Sequence, residues 1–154
     1  MCFLGVDIGG TSVRSLVTDA GGKILGYQRI ARVSHESLWQ AINDCLGTVL
    51  AQSSVVHVEA AVVGAAGAGP TGNHDVCQSV EKAFRAVGLD VTPQVVTDIE
   101  IAYWSAAVLG DGSILVAGTG AIAGRFSEWR CVDRRDGAGW LLGDHGSGYW
   151  IGRK

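Results

Sequence analysis

The chain has 154 residues and a mass of 16.0 kDa, which is room for one domain of ordinary size. Hydrophobic residues make up 47% of the sequence and charged residues only 18%, a balance that excludes intrinsic disorder. The formal net charge is −3 and the sequence has no basic run, which excludes nucleic acid as an expected partner because such binding relies on clustered Lys and Arg.

The first third of the chain predicts an antiparallel meander of three strands. Alternating apolar residues separated by glycine turns at Gly9-Gly10 and 19–22 predict strands over Phe3–Asp7, Val13–Thr18 and Lys23–Ala31.

Helices and strands alternate after the meander. Ser34 is the predicted cap of a helix that runs to about Ala51. The following elements are predicted as a strand over Val55–Val63, a helix over Asp75–Val87 that stops at Gly88, a strand over Gln94–Thr97, a helix over Ala102–Val108, a strand over Ser113–Ala117, two strands up to about Val132, and a helix that begins at Tyr149. A meander followed by this alternation predicts an α/β fold, a mixed sheet with helices packed on it.

The start of the chain lacks the pattern of a signal peptide, and no apolar run is long enough to cross a bilayer. We therefore expect a cytoplasmic protein with no membrane partner. The four cysteines, Cys2, Cys45, Cys77 and Cys131, form no CxxC pair, so the usual spacings of zinc and iron–sulfur sites are absent from the sequence.

Two strands are each predicted to run into a glycine turn that carries a hydroxyl group. Asp7 precedes Gly9, Gly10 and Thr11, a turn whose N–H groups can converge on an anion, while Asp7 can orient Mg²⁺. An ordinary hairpin turn explains this segment equally well. The second turn is Gly118-Thr119-Gly120, directly after the strand that ends at Ala117.

Two aspartates follow these patterns. Asp98 stands at the carboxyl end of an apolar strand, where α/β sheets present ligand sites and where a carboxylate can act as a general base. It can equally cap the helix that follows. Asp144 lies between glycines in the segment 143–148, which suits hydrogen bonds to sugar hydroxyls or, alternatively, a capping loop for the last helix.

Other motifs are discounted. Residues 67–72 match GxGxxG, but Pro70 interrupts the turn and no acidic residue follows at the spacing of a dinucleotide site. The sequence contains no P-loop and no GxSxG elbow.

Taken in order, the four sites resemble the N-acetylglucosamine and glucosamine kinases of the BadF/BadG/BcrA/BcrD-type ATPases, within the sugar kinase, heat-shock protein and actin superfamily. The resemblance covers the whole chain and is most specific over 139–152. It implies a ribonuclease H-like, actin-like ATPase lobe and ATP-dependent phosphorylation of a hexosamine, usually at the 6-hydroxyl.

The resemblance also implies a role for each residue. Asp7 would help to hold Mg²⁺, Gly9, Gly10 and Thr11 would cradle the phosphates of ATP, and Asp98 would be the general base on the sugar hydroxyl. Gly118, Thr119 and Gly120 would form the second phosphate loop, with Gly118 and Thr119 also near the substrate, and Asp144 would bind sugar hydroxyls.

The chain departs from the family pattern at three places. Arg14 takes the place of the Lys or Arg that commonly comes sooner after the first turn, and His145 replaces a residue that is normally Glu or another polar residue. Gly137-Ala138-Gly139 replaces the Gly-Trp-Gly of N-acetylglucosamine kinases, which favours glucosamine or another hexose.

Length is the largest departure, because these kinases have two lobes. Residues 1–154 are expected to be the N-terminal lobe, inactive or nearly so in isolation, with a missing second lobe or a second copy as its partner through apolar surface near Tyr149–Ile151. One alternative is a non-catalytic half-kinase that binds a sugar or a protein. Another is the activator of a radical dehydratase, which would need a glycine-flanked cysteine motif that the sequence does not contain.

Overall fold

The structure is a computed structural model that describes residues 1–32, 37–66, 68 and 74–153. The chain divides into two compact units, Met1–Asp98 and Ile99–Lys154. Each unit has its own sheet and its own hydrophobic core.

The first unit is built on a mixed sheet with the strand order β3-β2-β1-β4-β5. Its described elements are β1 (Cys2–Ile8), β2 (Ser12–Asp19), β3 (Ile24–Ala31), α1 (Leu38–Ser53), β4 (Ala60–Ala65), α2 (His74–Ala86) and β5 (Gln94–Thr97). The first three strands pair antiparallel, whereas β1 pairs parallel with β4 and β4 parallel with β5. The predicted meander and mixed sheet are therefore confirmed.

Helix α1 covers the sheet with an apolar face at helical spacing. Ile42, Cys45, Leu46 and Val49 are fully buried in the core of this unit, as their spacing predicts. The predicted cap Ser34 lies outside the described residues, and Ser37 occupies the N-cap position, with its N–H donating to Gln40 Oε1 at 3.2 Å.

Helix α2 ends where the sequence predicts. Gly88 has a φ of +76°, and the N–H of Leu89 donates to the carbonyl of Phe84 at 3.0 Å. This geometry satisfies carbonyls at the end of the helix and suits glycine, which adopts positive φ without a Cβ clash.

The strand predicted over Val55–Val63 is wrong at both ends. Residues 55–59 are irregular, and β4 runs from Ala60 to Ala65, two residues beyond the predicted end at Val63. Pairing with β1 sets these limits, because Phe3 lies opposite Ala60 and Ile8 opposite Ala65. The β-branched residues before Ala60 have strand propensity but no partner strand.

The second unit carries a small antiparallel sheet with the order β6-β7-β8. Its described elements are α3 (Asp98–Ala106), which begins at the last residue of the first unit, β6 (Gly112–Ala117), β7 (Ala121–Ser127), β8 (Arg130–Asp136) and α4 (Gly148–Gly152). Its core contains Ile99, Tyr103 and Phe126. The rings of Tyr103 and Phe126 stack with their centroids 3.9 Å apart.

Two predicted boundaries in this region are corrected. The helix expected over Ala102–Val108 begins at Asp98 and ends at Ala106. The last strand continues beyond Val132 to Asp136, because its polar residues pair with β7 up to Ile122 opposite Asp136.

Among the described residues, no helix has both the length and the apolar character needed to cross a membrane.

Candidate functional site

The turn between β1 and β2 contains Gly9, Gly10 and Thr11. The N–H of Gly9 donates to the carbonyl of Ser12 at 2.9 Å, which closes the turn, and Gly10 and Thr11 are exposed. A Cβ at Gly10 would have open space around it, so a ligand can approach the backbone here. Exposed backbone N–H groups beside a threonine hydroxyl are suited to an anion.

Arg32 fixes this turn from the end of β3. Its guanidinium donates to the carbonyl of Gly9 at 3.2 Å, and its backbone N–H donates to the carbonyl of Thr11 at 2.9 Å. Arg32 was not predicted from the sequence, since its contact depends on how β3 pairs with β2. The arrangement places a positive charge beside the turn.

Asp7 lies on β1 just before the turn and faces Arg14 on β2. The two residues are opposite each other in the ladder, and Arg14 Nη1 lies 3.0 Å from Asp7 Oδ2. The Asp7 side chain is about one-third exposed (34%), so water and ligands can reach it. Arg14, three residues after Thr11, thus pairs with Asp7 across the ladder.

Asp98 lies at the same edge of the sheet as the first turn. Ile8, Ala65 and Thr97 occupy one row across the parallel strands β1, β4 and β5, and Asp98 follows Thr97 directly. Strands in a sheet are spaced by about 4.8 Å, so β1 and β5 are roughly 10 Å apart at this row. Thr97 is buried and Asp98 is half-buried at this edge.

In the second unit, the predicted turn at 118–120 joins β6 to β7. The N–H of Gly118 donates to the carbonyl of Gly120 at 2.8 Å. The start of α4 packs on this turn, because the N–H groups of Gly148 and Tyr149 donate to the carbonyls of Gly118 and Thr119 at 2.8 and 3.3 Å. A Cβ at Gly148 would lie 3.2 Å from the carbonyl oxygen of Gly118, so glycine permits this close packing.

Asp144 and Gly120 lie side by side in the second unit. A Cβ at Gly120 would lie 3.0 Å from Asp144 Oδ2, and Asp144 adopts a φ of +59°, which is uncommon for a residue other than glycine. The helix cap is a different residue, since Ser147 Oγ accepts from the N–H of Trp150 at 3.1 Å. Asp144 is therefore held against the second glycine turn and does not cap α4.

Asp136, at the end of β8, accepts hydrogen bonds from the backbone of the loop between β8 and α4 (residues 137–147, the Asp144 loop). Its Oδ1 accepts from the N–H of Asp144 at 2.6 Å and its Oδ2 from the N–H of His145 at 3.0 Å. The N–H of Asp144 is the main cause of a lowered pKa at Asp136, and the N–H of His145 acts in the same direction. Asp136 was not predicted as a site residue, although the dipeptide Asp136-Gly137 is a turn signal and both residues have a positive φ.

The predicted site residues thus form two groups. Asp7, Gly9, Gly10, Thr11 and Asp98 lie at one sheet edge of the first unit, and Gly118, Thr119, Gly120 and Asp144 lie together in the second. No group of three or more His, Cys, Asp or Glu residues able to hold a metal occurs among the described residues. Asp7 nevertheless fits Mg²⁺ that arrives with a nucleotide, because that ion commonly uses one or two carboxylates together with phosphates and water.

The sequence matches the profile of the BadF/BadG/BcrA/BcrD ATPase family over residues 4–154. It is 30% identical over 159 residues to an N-acetylmuramic acid/N-acetylglucosamine kinase of Clostridium acetobutylicum, with 98% of this chain and 51% of the relative covered.

Solved structures share the fold. A Porphyromonas gingivalis protein with a provisional assignment as an N-acetylglucosamine kinase has a TM-score of 0.78 at 22% identity, covering 98% of this chain and 53% of its own. A Chromobacterium violaceum protein with the same provisional assignment has a TM-score of 0.72 at 24% identity, covering 99% of this chain and 54% of its own. The chain thus has the predicted ribonuclease H-like fold and spans about half the length of these relatives.

Proposed function

The chain belongs to the BadF/BadG/BcrA/BcrD ATPase family, and we propose that it is the N-terminal lobe of an enzyme that transfers a phosphate group from ATP to a hexosamine. The 6-hydroxyl of glucosamine or N-acetylglucosamine is the proposed acceptor. The observation that carries the proposal is the row formed by Ile8, Ala65 and Thr97, which places the first glycine turn and Asp98 at one sheet edge.

The first turn has the chemistry to bind phosphate groups. Gly10 and Thr11 are exposed, and Arg14 and Arg32 place two guanidinium groups beside the turn. Phosphoryl transfer depends mainly on positioning and on neutralising charge. The turn with its two arginines supports both requirements for the phosphates of ATP.

Asp98 is proposed as the general base. A carboxylate can accept the proton of a sugar hydroxyl as that hydroxyl attacks the phosphorus atom, provided that it lies within hydrogen-bond distance of the hydroxyl. The half-buried position of Asp98 at the end of β5 suits this role. α3 begins at Asp98, so a role in capping this helix is the alternative to a role as general base.

The second unit would contribute the second phosphate loop and a sugar contact. Gly118, Thr119 and Gly120 would bind phosphate through the turn between β6 and β7, and Asp144 would accept hydrogen bonds from sugar hydroxyls. Asp144 Oδ2 would lie 3.0 Å from a Cβ at Gly120, so any side chain at that position would crowd the carboxylate. Mg²⁺, when bound with ATP, would neutralise phosphate charge, and Asp7 is the residue proposed to help hold it.

The first experiment measures ATP consumption by the full-length protein, meaning the enzyme of which this chain is the proposed N-terminal lobe. The sugars are glucosamine, N-acetylglucosamine, N-acetylmuramic acid and glucose, each with and without Mg²⁺. We expect turnover that requires both Mg²⁺ and a hexosamine, and none with 6-deoxyglucosamine. If no sugar stimulates ATP consumption, the kinase proposal is wrong. Sugar binding without turnover would instead favour a binding module.

A further inference from the structure

We propose that Asp136 is the positioning residue that orients Asp144 towards the sugar, an inference that rests on the proposed function. Asp136 is not expected to touch the sugar or ATP itself. It would act through the backbone of Asp144 and His145, and its loss would weaken recognition of the sugar more than recognition of the nucleotide.

The Asp136 carboxylate binds the loop through two backbone hydrogen bonds. Both of its oxygens accept from consecutive backbone N–H groups, at 2.6 Å for Asp144 and 3.0 Å for His145. Hydrogen bonds from N–H groups to an ionised carboxylate are stronger than neutral ones. The side chain of Asp136 is 27% exposed, although the residue as a whole lies at the surface.

Two residues of this segment that are not glycine, Asp136 and Asp144, have a left-handed backbone conformation. Asp136, Gly137, Gly139 and Asp144 all have φ values between +59° and +80°. A non-glycine residue such as Asp144 persists in this region only where its surroundings fix it. The two hydrogen bonds from Asp136 supply that constraint on one side of Asp144, and Gly120 lies against its carboxylate on the other.

The residue before Asp144 allows this approach. A Cβ at Gly143 would overlap Asp136 Oδ1, so a side chain there would push the carboxylate away. The N–H of Gly143 donates in turn to the carbonyl of Gly139 at 2.8 Å, which ties the start of the loop. The Asp136 carboxylate, the absence of a side chain at Gly143 and the positive φ of Asp144 therefore all favour the same orientation of Asp144.

Asparagine is the informative replacement because it has the same shape with one acceptor fewer. In Asp136→Asn one N–H of the loop would face an NH₂ group in place of an oxygen, and the charge would be lost. Asp133→Asn is the matched control, since Asp133 lies on the same strand and pairs with Arg135 at the surface. Asp136→Ala is the second variant, which removes both acceptors.

The test measures steady-state kinetics of the full-length protein with sugar and ATP varied separately. For Asp136→Asn we expect kcat/KM for the sugar to fall about 10- to 100-fold while KM for ATP stays within about twofold. Asp133→Asn should leave both within about twofold. Equal losses towards sugar and ATP, or an unchanged kcat/KM for the sugar, would overturn the inference.

Hydrogen exchange gives a readout that does not need activity. The amides of Asp144 and His145 should exchange at least about tenfold faster in Asp136→Asn and Asp136→Ala than in the wild type, with amides of β7 unchanged. Unchanged protection at Asp144 and His145 would overturn the positioning role even in an inactive protein. A wild type with no kinase activity but with this exchange pattern would mean that the proposed function fails and the loop contact stands.

Discussion

Asp7 and Arg14 face each other across the β1–β2 ladder, with Arg14 Nη1 3.0 Å from Asp7 Oδ2. Both side chains are accessible, at 34% and 48% exposure, so the pair contributes at most about 1 kcal/mol to stability. The pair thus adds little to the stability of the fold, and it lies next to the first glycine turn.

Replacing Arg14 with alanine should therefore affect nucleotide binding more than folding. We expect KM for ATP in the full-length protein to rise roughly tenfold, because one charge-assisted contact worth about 1.5 kcal/mol is lost. The free energy of unfolding should change by less than about 1 kcal/mol. Arg85→Ala, which removes a surface pair on α2, is the control. An unchanged KM for ATP would show that Arg14 does not contact the phosphates.

Replacing Asp98 with asparagine should abolish sugar phosphorylation. Loss of a general base lowers kcat by about 10²- to 10⁴-fold, while the isosteric side chain preserves the start of α3. The measurement is kcat with the best hexosamine, alongside thermal unfolding and ATP binding. Asp90→Asn, at an exposed loop position of the same unit, should keep full activity. A near-normal rate in Asp98→Asn would mean that Asp98 is not the general base and only begins α3.

Gly143→Ala should destabilise the second unit. A Cβ at Gly143 would overlap Asp136 Oδ1 and lie 3.0 Å from the Cβ of Ala138. We expect a loss of about 1–3 kcal/mol in urea denaturation, typical of overpacking. Gly152→Ala is the matched control, because a Cβ there has open space and alanine favours α4. Equal stability of the two variants would contradict the close approach of Asp136.

Asp111 should make stability depend on pH. Its Oδ1 accepts from the N–H of Glu128 at 2.8 Å, and this bond, followed by one with Ser127, lowers the pKa of Asp111 below its ordinary value of 3.8. Since the folded state favours the ionised form of Asp111, the stabilisation is present at pH values above 3.8. It is lost as the pH falls through the lower pKa of the folded state.

The check compares urea midpoints of the wild type and Asp111→Asn between about pH 6 and about pH 3. We expect the wild type to be more stable at the upper end and the difference to shrink towards the lower end. A difference that stays constant over this range would mean that the charge of Asp111 does not matter.

The sequence predicts those parts of the fold whose signals are local. The strand Gln94–Thr97 and the stop of α2 at Gly88 follow from an apolar run and a glycine, and both are confirmed. The start of β4 could not be predicted in this way. Val56 is 97% exposed in spite of its strand propensity, because the pairing of this segment with β1 begins only at Ala60.

The candidate site was predicted only in part, for the same reason. Strand ends and glycine turns indicate Asp7, Asp98 and the two turns from short patterns. Arg32 and Asp136 act through contacts with Gly9 and with the Asp144 loop, which depend on the pairing of β3 and on the path of the chain after β8. No pattern of hydrophobic residues carries that information. The roles assigned to all these residues in binding and catalysis remain predictions.

The central position of β1 has a consequence for how the first unit assembles. The β1–β3 meander can pair once Ala31 has been synthesised, but the parallel neighbour of β1 is completed only at Ala65. Pairing across that interval requires a long loop to close, and such contacts slow folding. Until then, one edge of β1 is open to other chains. A nascent chain arrested between these two points is the form most exposed to aggregation, and a ribosome-bound series of lengths would locate the residue at which that hazard ends.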